Sequence, residues 1–395
     1  MRVFNPTPFV PQGDGGPLRF DFQAWQEIDL SQIPRLRFVY GDGYAAGYLS
    51  VTYAAPKTGK SLLALAEAID AATGRGFLTG KPSDPIKVLY YNAEDDTSVI
   101  QGRVAAILEA HDIPQSEIAG RLYPISGIAA DPPVVLIRGD NGDVDEAAFL
   151  ALTDLFVREA ITLAIFDPLQ DLSHSPETNE VFRALGRRIR ELASTTGAAI
   201  GLIHHTRKPS PGVVQTIDDG RGGSALRGVA RFNRLLVPMT ESEGAQAGVE
   251  DFRHFFRIGE AESNLAPPSS SRNRWFEKVG VTIANGANIA SVRPWTWPDA
   301  FSGITVYDAC RVRAAIAMRD VPPRSSVQAA DWAGNLIAEA LKLDVEKKAN
   351  KAKISALLKA WIKTDVLRIE KRAYGDKGKE ADFVIEGDNN PALQS

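Results

Sequence analysis

The sequence AAPKTGKS at residues 54–61 decides the fold of this chain, because of what stands on either side of it. Before it, YLSVTY at residues 48–53 is an apolar run of strand length, and after it residues 61–72 have the spacing of an apolar helix that ends near Gly74. The stretch departs from the pattern GxxxxGK[ST] only at Ala54, which replaces the first glycine and is tolerated if φ stays negative. The sequence therefore predicts a strand, a tight loop and a helix.

A loop of this kind is suited to hold a phosphate. Its successive backbone N–H groups wrap an anion, and the helix that follows adds the positive end of its dipole. Lys60 is placed to reach the β- and γ-phosphates of a nucleotide, and the Ser61 hydroxyl to bind Mg²⁺. A chance GKS in a turn is the alternative, but both flanking elements fit the motif. We expect the nucleotide to contact Ala55, Pro56, Lys57, Thr58, Gly59, Lys60, Ser61 and Leu62.

Three further apolar runs, at residues 87–91, 163–166 and 199–203, are separated by helical periodicity. Continuously apolar strands that alternate with helices are typical of a parallel sheet covered on both faces. We therefore predict a doubly wound α/β core. Between residues 234 and 292 the helical signal fades, and strand patterns predict an antiparallel extension of the sheet.

Acidic residues follow two of the predicted strands. Asp167 comes directly after residues 163–166, and Glu94 follows the strand before it. Because parallel strands present their carboxyl ends at the edge where such sheets bind ligands, we predict that Asp167 holds metal-bound water and that Glu94 orients the attacking water. For Asp95 and Asp96, which come next, a helix-capping role is favoured.

The pair His204 and His205 ends the strand at residues 199–203. Adjacent side chains on a strand point to opposite faces, so one imidazole can face the γ-phosphate while the other packs. A purely structural pair is the alternative. Zinc is not indicated, because the single cysteine, Cys310, is distant in the sequence and His174 falls on a predicted loop.

Composition narrows the class of protein without deciding its function. The 395 residues are 44% hydrophobic and 24% charged, which argues against disordered, collagenous and disulfide-stapled classes. A single cysteine and a start without an apolar signal region lead us to expect a cytoplasmic protein, and no run of about 18 apolar residues predicts a spanning helix. The net charge of −4 gives no overall attraction to nucleic acid, so DNA contacts must come from local patches.

Such a patch lies near the C-terminal end, where residues 342–380 hold twelve lysines and arginines against six acids. Two amphipathic helices at residues 329–341 and 352–363, followed by two short strands around residues 375–378, suggest a winged helix that binds duplex DNA. A module that docks another protein is the alternative. The residues expected to contact DNA are Lys371, Arg372, Lys377 and Lys379.

These patterns divide the chain into three predicted parts. Residues 1–45 form an N-terminal lead-in whose first 20 residues are rich in Pro and Gly, residues 46–318 form the α/β core, and residues 327–390 form the winged-helix-like basic domain. The stretch at residues 319–326, which contains two adjacent prolines, is the predicted linker.

The order of four motifs resembles a known family. GKS at residues 59–61, NAED at 92–95, IFDPL at 165–169 and HHTRK at 204–208 follow one another as in the RecA-like ATPases of the RepA group, which are hexameric replicative helicases of plasmids with relatives in phages and mobile elements. The resemblance implies ATP and Mg²⁺ as cofactors, with Glu94 as the catalytic base. The catalytic residues that it implies are Lys60, Glu94, Asp167, His204 or His205, and Arg231, and the metal ligands are Ser61 and Asp167.

The resemblance also implies a contribution from a neighbouring subunit. RGGSAL at residues 221–226 followed by Arg231 is similar to the family's loop and arginine finger, which would stabilise transition-state charge in the adjacent site. The alternative is a solvated basic face that Arg231 shares with Arg227 and Arg234. One position departs from the family: Glu262 stands where relatives commonly carry a lysine, and a carboxylate beside an anionic site would repel nucleotide.

By the same resemblance, the long loop at residues 208–223 would face the channel of a ring and touch single-stranded DNA. Two aspartates at residues 218–219 oppose such contacts, and no aromatic residue in the loop offers a stacking platform, so both outcomes stay open. The candidate phosphate contacts are Arg207, Lys208 and Arg221.

The predicted function is Mg²⁺-dependent ATP hydrolysis coupled to DNA binding or unwinding, in replication of a plasmid, phage or mobile element. We expect a homo-oligomer, most simply a hexameric ring helicase, that does not contact a membrane. One alternative is a DNA-bound ATPase that loads or regulates without unwinding. Another is an ATP-binding scaffold whose hydrolysis is incidental.

Overall fold

A computed structural model describes residues 24–138, 143–206, 216–217, 223–263, 265, 273–374 and 379–391. Its helices are α1 (Lys60–Thr73), α2 (Thr97–Ala110), α3 (Glu146–Glu159), α4 (Asn179–Thr196), α5 (Gly223–Val229), α6 (Glu241–Ala247), α7 (Val306–Ala317), α8 (Ala333–Leu341) and α9 (Lys348–Lys363). Its strands are β1 (Phe38–Tyr40), β2 (Tyr44–Ala45), β3 (Leu49–Ala54), β4 (Val88–Asn92), β5 (Leu122–Ser126), β6 (Ile137–Arg138), β7 (Asp143–Val144), β8 (Leu163–Asp167), β9 (Ala199–His205), β10 (Phe232–Pro238), β11 (Phe255–Ser263), β12 (Trp275–Thr282), β13 (Asn288–Trp295), β14 (Leu367–Tyr374) and β15 (Lys379–Glu386). Among the described residues, no helix combines the length and the apolar character that crossing a membrane requires.

A nine-stranded sheet has the strand order β13-β12-β11-β10-β3-β9-β8-β4-β5. The six strands from β10 to β5 pair in parallel, whereas β11 and β12 pair antiparallel. This confirms the predicted α/β fold with a mostly parallel sheet. Every residue of β3 is buried, so the loop that follows it leaves the sheet directly from the core.

Helix α1, which follows that loop, is buried along almost its whole length. Thirteen of its fourteen residues are buried, and it ends where the sequence predicts, at Gly74 with φ of 70°. The buried face includes the carboxylate of Asp70, which accepts hydrogen bonds from the Tyr40 hydroxyl (2.9 Å) and from the backbone N–H groups of Phe77 (2.8 Å) and Leu78 (3.1 Å). These bonds satisfy a charged group that burial alone would destabilise.

A second acid of α1, Glu67, forms a buried ion pair with Arg234 of β10. Two nearly parallel bonds join the guanidinium and the carboxylate at 2.7 and 2.5 Å, and the side chains are only 11% and 3% exposed. Arg234 also donates to Thr52 Oγ1 of β3 and to the Tyr44 hydroxyl of β2, both at 2.7 Å. The cluster therefore ties α1 to three strands, and sequence analysis did not anticipate it.

The described residues form two compact units. The first is drawn from Met1–Val237, Ile258–Asn273 and Val279–Arg293, and the second from Pro238–Arg257, Arg274–Lys278 and Pro294–Ser395. Strands β1 and β2 belong to the first unit, although the sequence analysis assigned them to an extended lead-in.

The second unit has its own core, in which α7, α8 and α9 pack with the antiparallel hairpin β14–β15. Helix α7 contributes Ala309, Val312 and Ile316 to this core, so it belongs to the second unit and not to the predicted α/β core. The predicted linker at residues 319–326 is also wrong, because part of this segment is paired within the second unit. Its backbone pairs with β15, since Pro323 O accepts from Val384 N at 2.8 Å and Ser325 N donates to Asp382 O at 2.9 Å.

Candidate active site

The loop between β3 and α1 has the backbone geometry of an anion site. Gly59, the residue before α1, has φ of 117°, and no side chain caps the first N–H groups of the helix. Lys57 also has a positive φ, of 68°, whereas Ala54 does not, so its methyl group fits as the sequence predicts. Lys60 begins the helix and is 8% exposed. Uncapped N–H groups beside a lysine are what a phosphate requires.

Asp167 lies fully buried at the end of β8. Its Oδ2 accepts hydrogen bonds from the Tyr90 hydroxyl (3.0 Å) and from Asn92 Nδ2 (3.5 Å). Burial raises the pKa of this carboxyl, while the nearby Ser61 hydroxyl and the charge of Lys60 act in the opposite direction. Its Oδ1 is buried without a hydrogen-bond partner among the described residues. Oδ1 of Asp167 is therefore available to bind a ligand.

The turn after β4 presents Glu94 at the same edge of the sheet. The side-chain oxygen of Asn92 accepts the backbone N–H groups of Glu94 (3.0 Å) and Asp95 (2.8 Å) and so fixes the turn. Asp96 caps α2 by accepting from Val99 N at 2.9 Å, as predicted. Asp95 does not cap the helix but pairs with Arg103 at 2.5 Å, which leaves Glu94 as the acid that this turn offers.

His205 stands opposite Glu94, with 3.6 Å between His205 Nε2 and Glu94 Oε1. Its pKa is lowered, mainly by burial and then by the charge of Lys60, so the neutral imidazole is favoured. His204 packs in the core instead, edge-on to Tyr53 and Phe182 with ring centroids 5.8 and 5.3 Å away. The structure thus assigns the two histidines to opposite faces of β9.

Asp171 is a further acid near this edge that sequence analysis missed. It lies in a short 3-10 helix, Leu169–Leu172, directly after β8. Partial burial raises its pKa, and the nearby charges of Glu94 and Asp167 raise it further. No strand-end pattern marks this position, because the chain has already turned away from the sheet.

Arg231 is not part of the site in its own chain. It precedes β10, and its N–H donates to Leu49 O, at the amino end of β3. The phosphate loop follows the carboxyl end of the same strand, so six residues of strand, about 20 Å, separate them.

The alternative of a shared basic face around Arg231 is wrong. Arg234 is buried against Glu67, and Arg227 forms a two-pronged ion pair with Glu262 at 3.1 and 3.0 Å. Glu262, the position that departs from the family pattern, is therefore occupied by a partner within the chain. Of the candidate DNA contacts, Arg207, Lys208, Arg221 and Lys377 lie outside the described residues.

The part of the chain that forms this edge of the sheet matches a known protein family. Residues 17–211 match the family model of the AAA domain, a stretch that contains the phosphate loop, Glu94, Asp167 and His205. The match supports a P-loop ATPase domain over these residues. The match indicates ATP binding and hydrolysis, and it ends before Arg231 and before the second unit.

Proposed function

We propose that the protein is an Mg²⁺-dependent ATPase whose turnover is coupled to DNA, acting as a homo-oligomeric ring, most simply a hexameric helicase, in replication of a plasmid, phage or mobile element. The observation that carries the coupling to DNA is helix α9, which has five lysines and no acid in sixteen residues and belongs to the same chain as the ATPase domain. A lysine-rich helix supplies the sequence-independent phosphate contacts on which DNA affinity chiefly depends.

Two residues of the phosphate site fit Mg²⁺. Asp167 has one buried oxygen without a partner among the described residues, and the Ser61 hydroxyl is close enough to affect its pKa. An oxygen donor set of this kind suits a hard cation that keeps several of its waters. When bound, the ion would neutralise charge on the phosphates.

The remaining steps of the reaction use side chains and backbone groups of the protein itself. The N–H groups before α1 and the Lys60 ammonium bind and orient the phosphates. Glu94 accepts a hydrogen bond from the attacking water and directs it at the γ-phosphorus. His205, neutral and next to Glu94, is placed to sense the γ-phosphate and to relay its loss to β9.

For the second unit we propose a winged-helix fold. Support comes from the order of elements: α7, the paired segment at residues 323–325, α8, α9, and the hairpin β14–β15. The arginines of the hairpin are already ion-paired, Arg372 with Glu370 (2.7 Å) and Arg368 with Asp365 and Asp388 (3.1 and 2.5 Å). Lys371 and Lys379 are exposed, but α9 is the stronger candidate for the DNA surface.

The position of Arg231 bears on assembly. Because it lies at the far edge of the sheet from its own phosphate loop, any contact that it makes with ATP must be with a neighbouring copy. Mixing Arg231→Ala and Glu94→Gln proteins tests this role, since hybrid sites with both wild-type groups should recover turnover. No recovery in stable mixed oligomers would exclude it.

The proposed function is tested by ATP turnover of the full chain with and without single-stranded and duplex DNA, together with strand displacement and the oligomeric state with an ATP analogue. A helicase shows DNA-stimulated turnover and displacement in a ring. Stimulation without displacement identifies a loader or regulator, and turnover indifferent to DNA would overturn the proposed coupling.

A further inference from the structure

A groove in the second unit lies between helices α6 and α9. Its volume is about 450 Å³, and it is lined from α6 by Ser242 and Gln246, from α9 by Lys348, Lys351 and Lys359, and by Trp297. One end of α6 is held close to α9 at Gly248, where an added Cβ would stand 2.5 Å from the Cα of Ala349. The groove is thus fixed by backbone contact between its walls.

The charge of this groove is entirely positive among the described residues that line it. Lys348, Lys351 and Lys359 are exposed and spread over about 16 Å of the helix axis, and no acid lines the groove. Neither acid of α6 lines the groove: Glu241 is exposed outside it, and Glu243 accepts from the backbone of Thr240 and forms an ion pair with Arg257 at 3.3 Å. The groove therefore attracts an extended anion.

Trp297 gives the groove an aromatic surface. The residue is 36% exposed, and its ring packs against Trp275 and Trp295, with ring centroids 5.5 and 5.7 Å away. These two contacts restrict the orientation of the ring before any ligand arrives. A positioned aromatic ring next to a row of cations is the combination with which proteins bind unpaired bases and their phosphates.

We propose that the α6–α9 groove binds a stretch of single-stranded DNA, with a base stacked on Trp297 and phosphates beside the three lysines. The inference rests on the proposed coupling to DNA and specifies the form of DNA that the second unit holds. Duplex DNA does not expose the faces of its bases, so it could use the lysines but not the tryptophan. A cavity of this volume is the size of a small-ligand pocket, which suits a few nucleotides and not a double helix.

The test is a titration of labelled oligothymidylate into the full chain and its variants at several salt concentrations. Trp297→Ala should weaken binding about tenfold or more, and Trp297→Phe should restore most of the affinity because phenylalanine still stacks. Replacing Lys348, Lys351 and Lys359 together by alanine should reduce the slope of log K against log salt by about 2. Point substitutions are needed, because a truncation near Ser326 would cut through the core of this unit.

Matched controls separate the groove from general charge. Lys81→Ala removes an exposed lysine that lies outside α9 and does not line the groove, and Trp25→Ala removes a tryptophan that is 79% exposed elsewhere. The lysine control should not reproduce the effect of the triple lysine variant, and Trp25→Ala should not reproduce the effect of Trp297→Ala. Thermal unfolding and binding of an ATP analogue verify that each variant is folded.

Each result decides between the two proposals. If the wild-type chain binds no DNA, the proposed function and the groove assignment both fail. If the wild type and the groove variants bind single strands with the same affinity and salt slope, only the groove assignment is wrong. The groove assignment is also wrong if Trp297→Ala has no effect while the lysine variant weakens binding of duplex and single strands equally. Thymidine monophosphate that binds the groove as tightly as the oligonucleotide, or a groove that binds a protein and not DNA, would also overturn it.

Discussion

Two regions of the first unit bury charged groups, and they do so in different ways. In the cluster of Arg234 and Glu67, both carboxylate oxygens and all three donor nitrogens of the guanidinium have partners. At the phosphate site, Asp167 is just as buried but keeps Oδ1 without a partner among the described residues, and its pKa is raised by burial. A satisfied cluster stabilises the fold, whereas an unsatisfied one stores unfavourable energy until a ligand arrives.

The largest effect is expected at Glu94. Glu94→Gln removes the acceptor that orients the attacking water but leaves the phosphate loop intact, so hydrolysis should fall by about 10² to 10⁴ while ATP binding persists. Lys60→Ala should lose binding itself. Turnover measured beside binding of a fluorescent ATP analogue distinguishes them, with Glu109→Gln on the exposed face of α2 as the control. Near wild-type hydrolysis by Glu94→Gln would show that this base assignment is wrong.

Glu67→Gln should destabilise the protein and leave the chemistry alone. It strands the Arg234 guanidinium in the core without its counter-charge, which typically costs about 3 to 5 kcal/mol of unfolding free energy. The double variant Glu67→Met with Arg234→Met should cost less than either single change, because no charge is left unpaired. Denaturant titration measures both. Equal stability of Glu67→Gln and wild type would mean that the cluster is not structural.

Asp167→Asn should lower activity and raise stability, the reverse of the effect of Glu67→Gln. Loss of the carboxylate beside the metal position is expected to lower hydrolysis about 10- to 100-fold, as for other groups that orient metal ligands. Stability at neutral pH should rise, since the raised pKa means that the folded state disfavours the charged carboxyl. The stability that protonated Asp167 contributes is present below its unfolded pKa and lost as pH rises through its folded pKa. Wild type should therefore approach the variant as pH falls, and unfolding curves across pH that stay parallel would contradict this.

The smallest effect sets the scale for an exposed carboxylate. Asp96 caps α2 from the surface, so Asp96→Ala should lower the unfolding free energy by only a small part of what Glu67→Gln costs. Asp84→Ala, on an exposed loop, is the control and should change little. A cost at Asp96 as large as that of Glu67→Gln would remove the distinction between buried and exposed charge.

Local pattern was sufficient for much of this protein. The phosphate loop, α1 with its end at Gly74, the parallel strands and the two acids at their ends all follow from residues that are close in the sequence. Such features are decided by backbone sterics, helix and strand periodicity and the fixed geometry of a strand-to-helix turn, each of which acts over a few residues.

Tertiary structure decided the rest. Strand alternation places His204 and His205 on opposite faces, but only the packing of Phe182 and Tyr53 determines that His204 is the buried one. Arg234 is 167 residues from Glu67 in the sequence. The groove likewise joins distant segments, with Ser242 on one wall and Lys348 on the other. Contacts between distant segments leave no periodic signal in either segment, because each is selected for a partner that the local sequence does not contain.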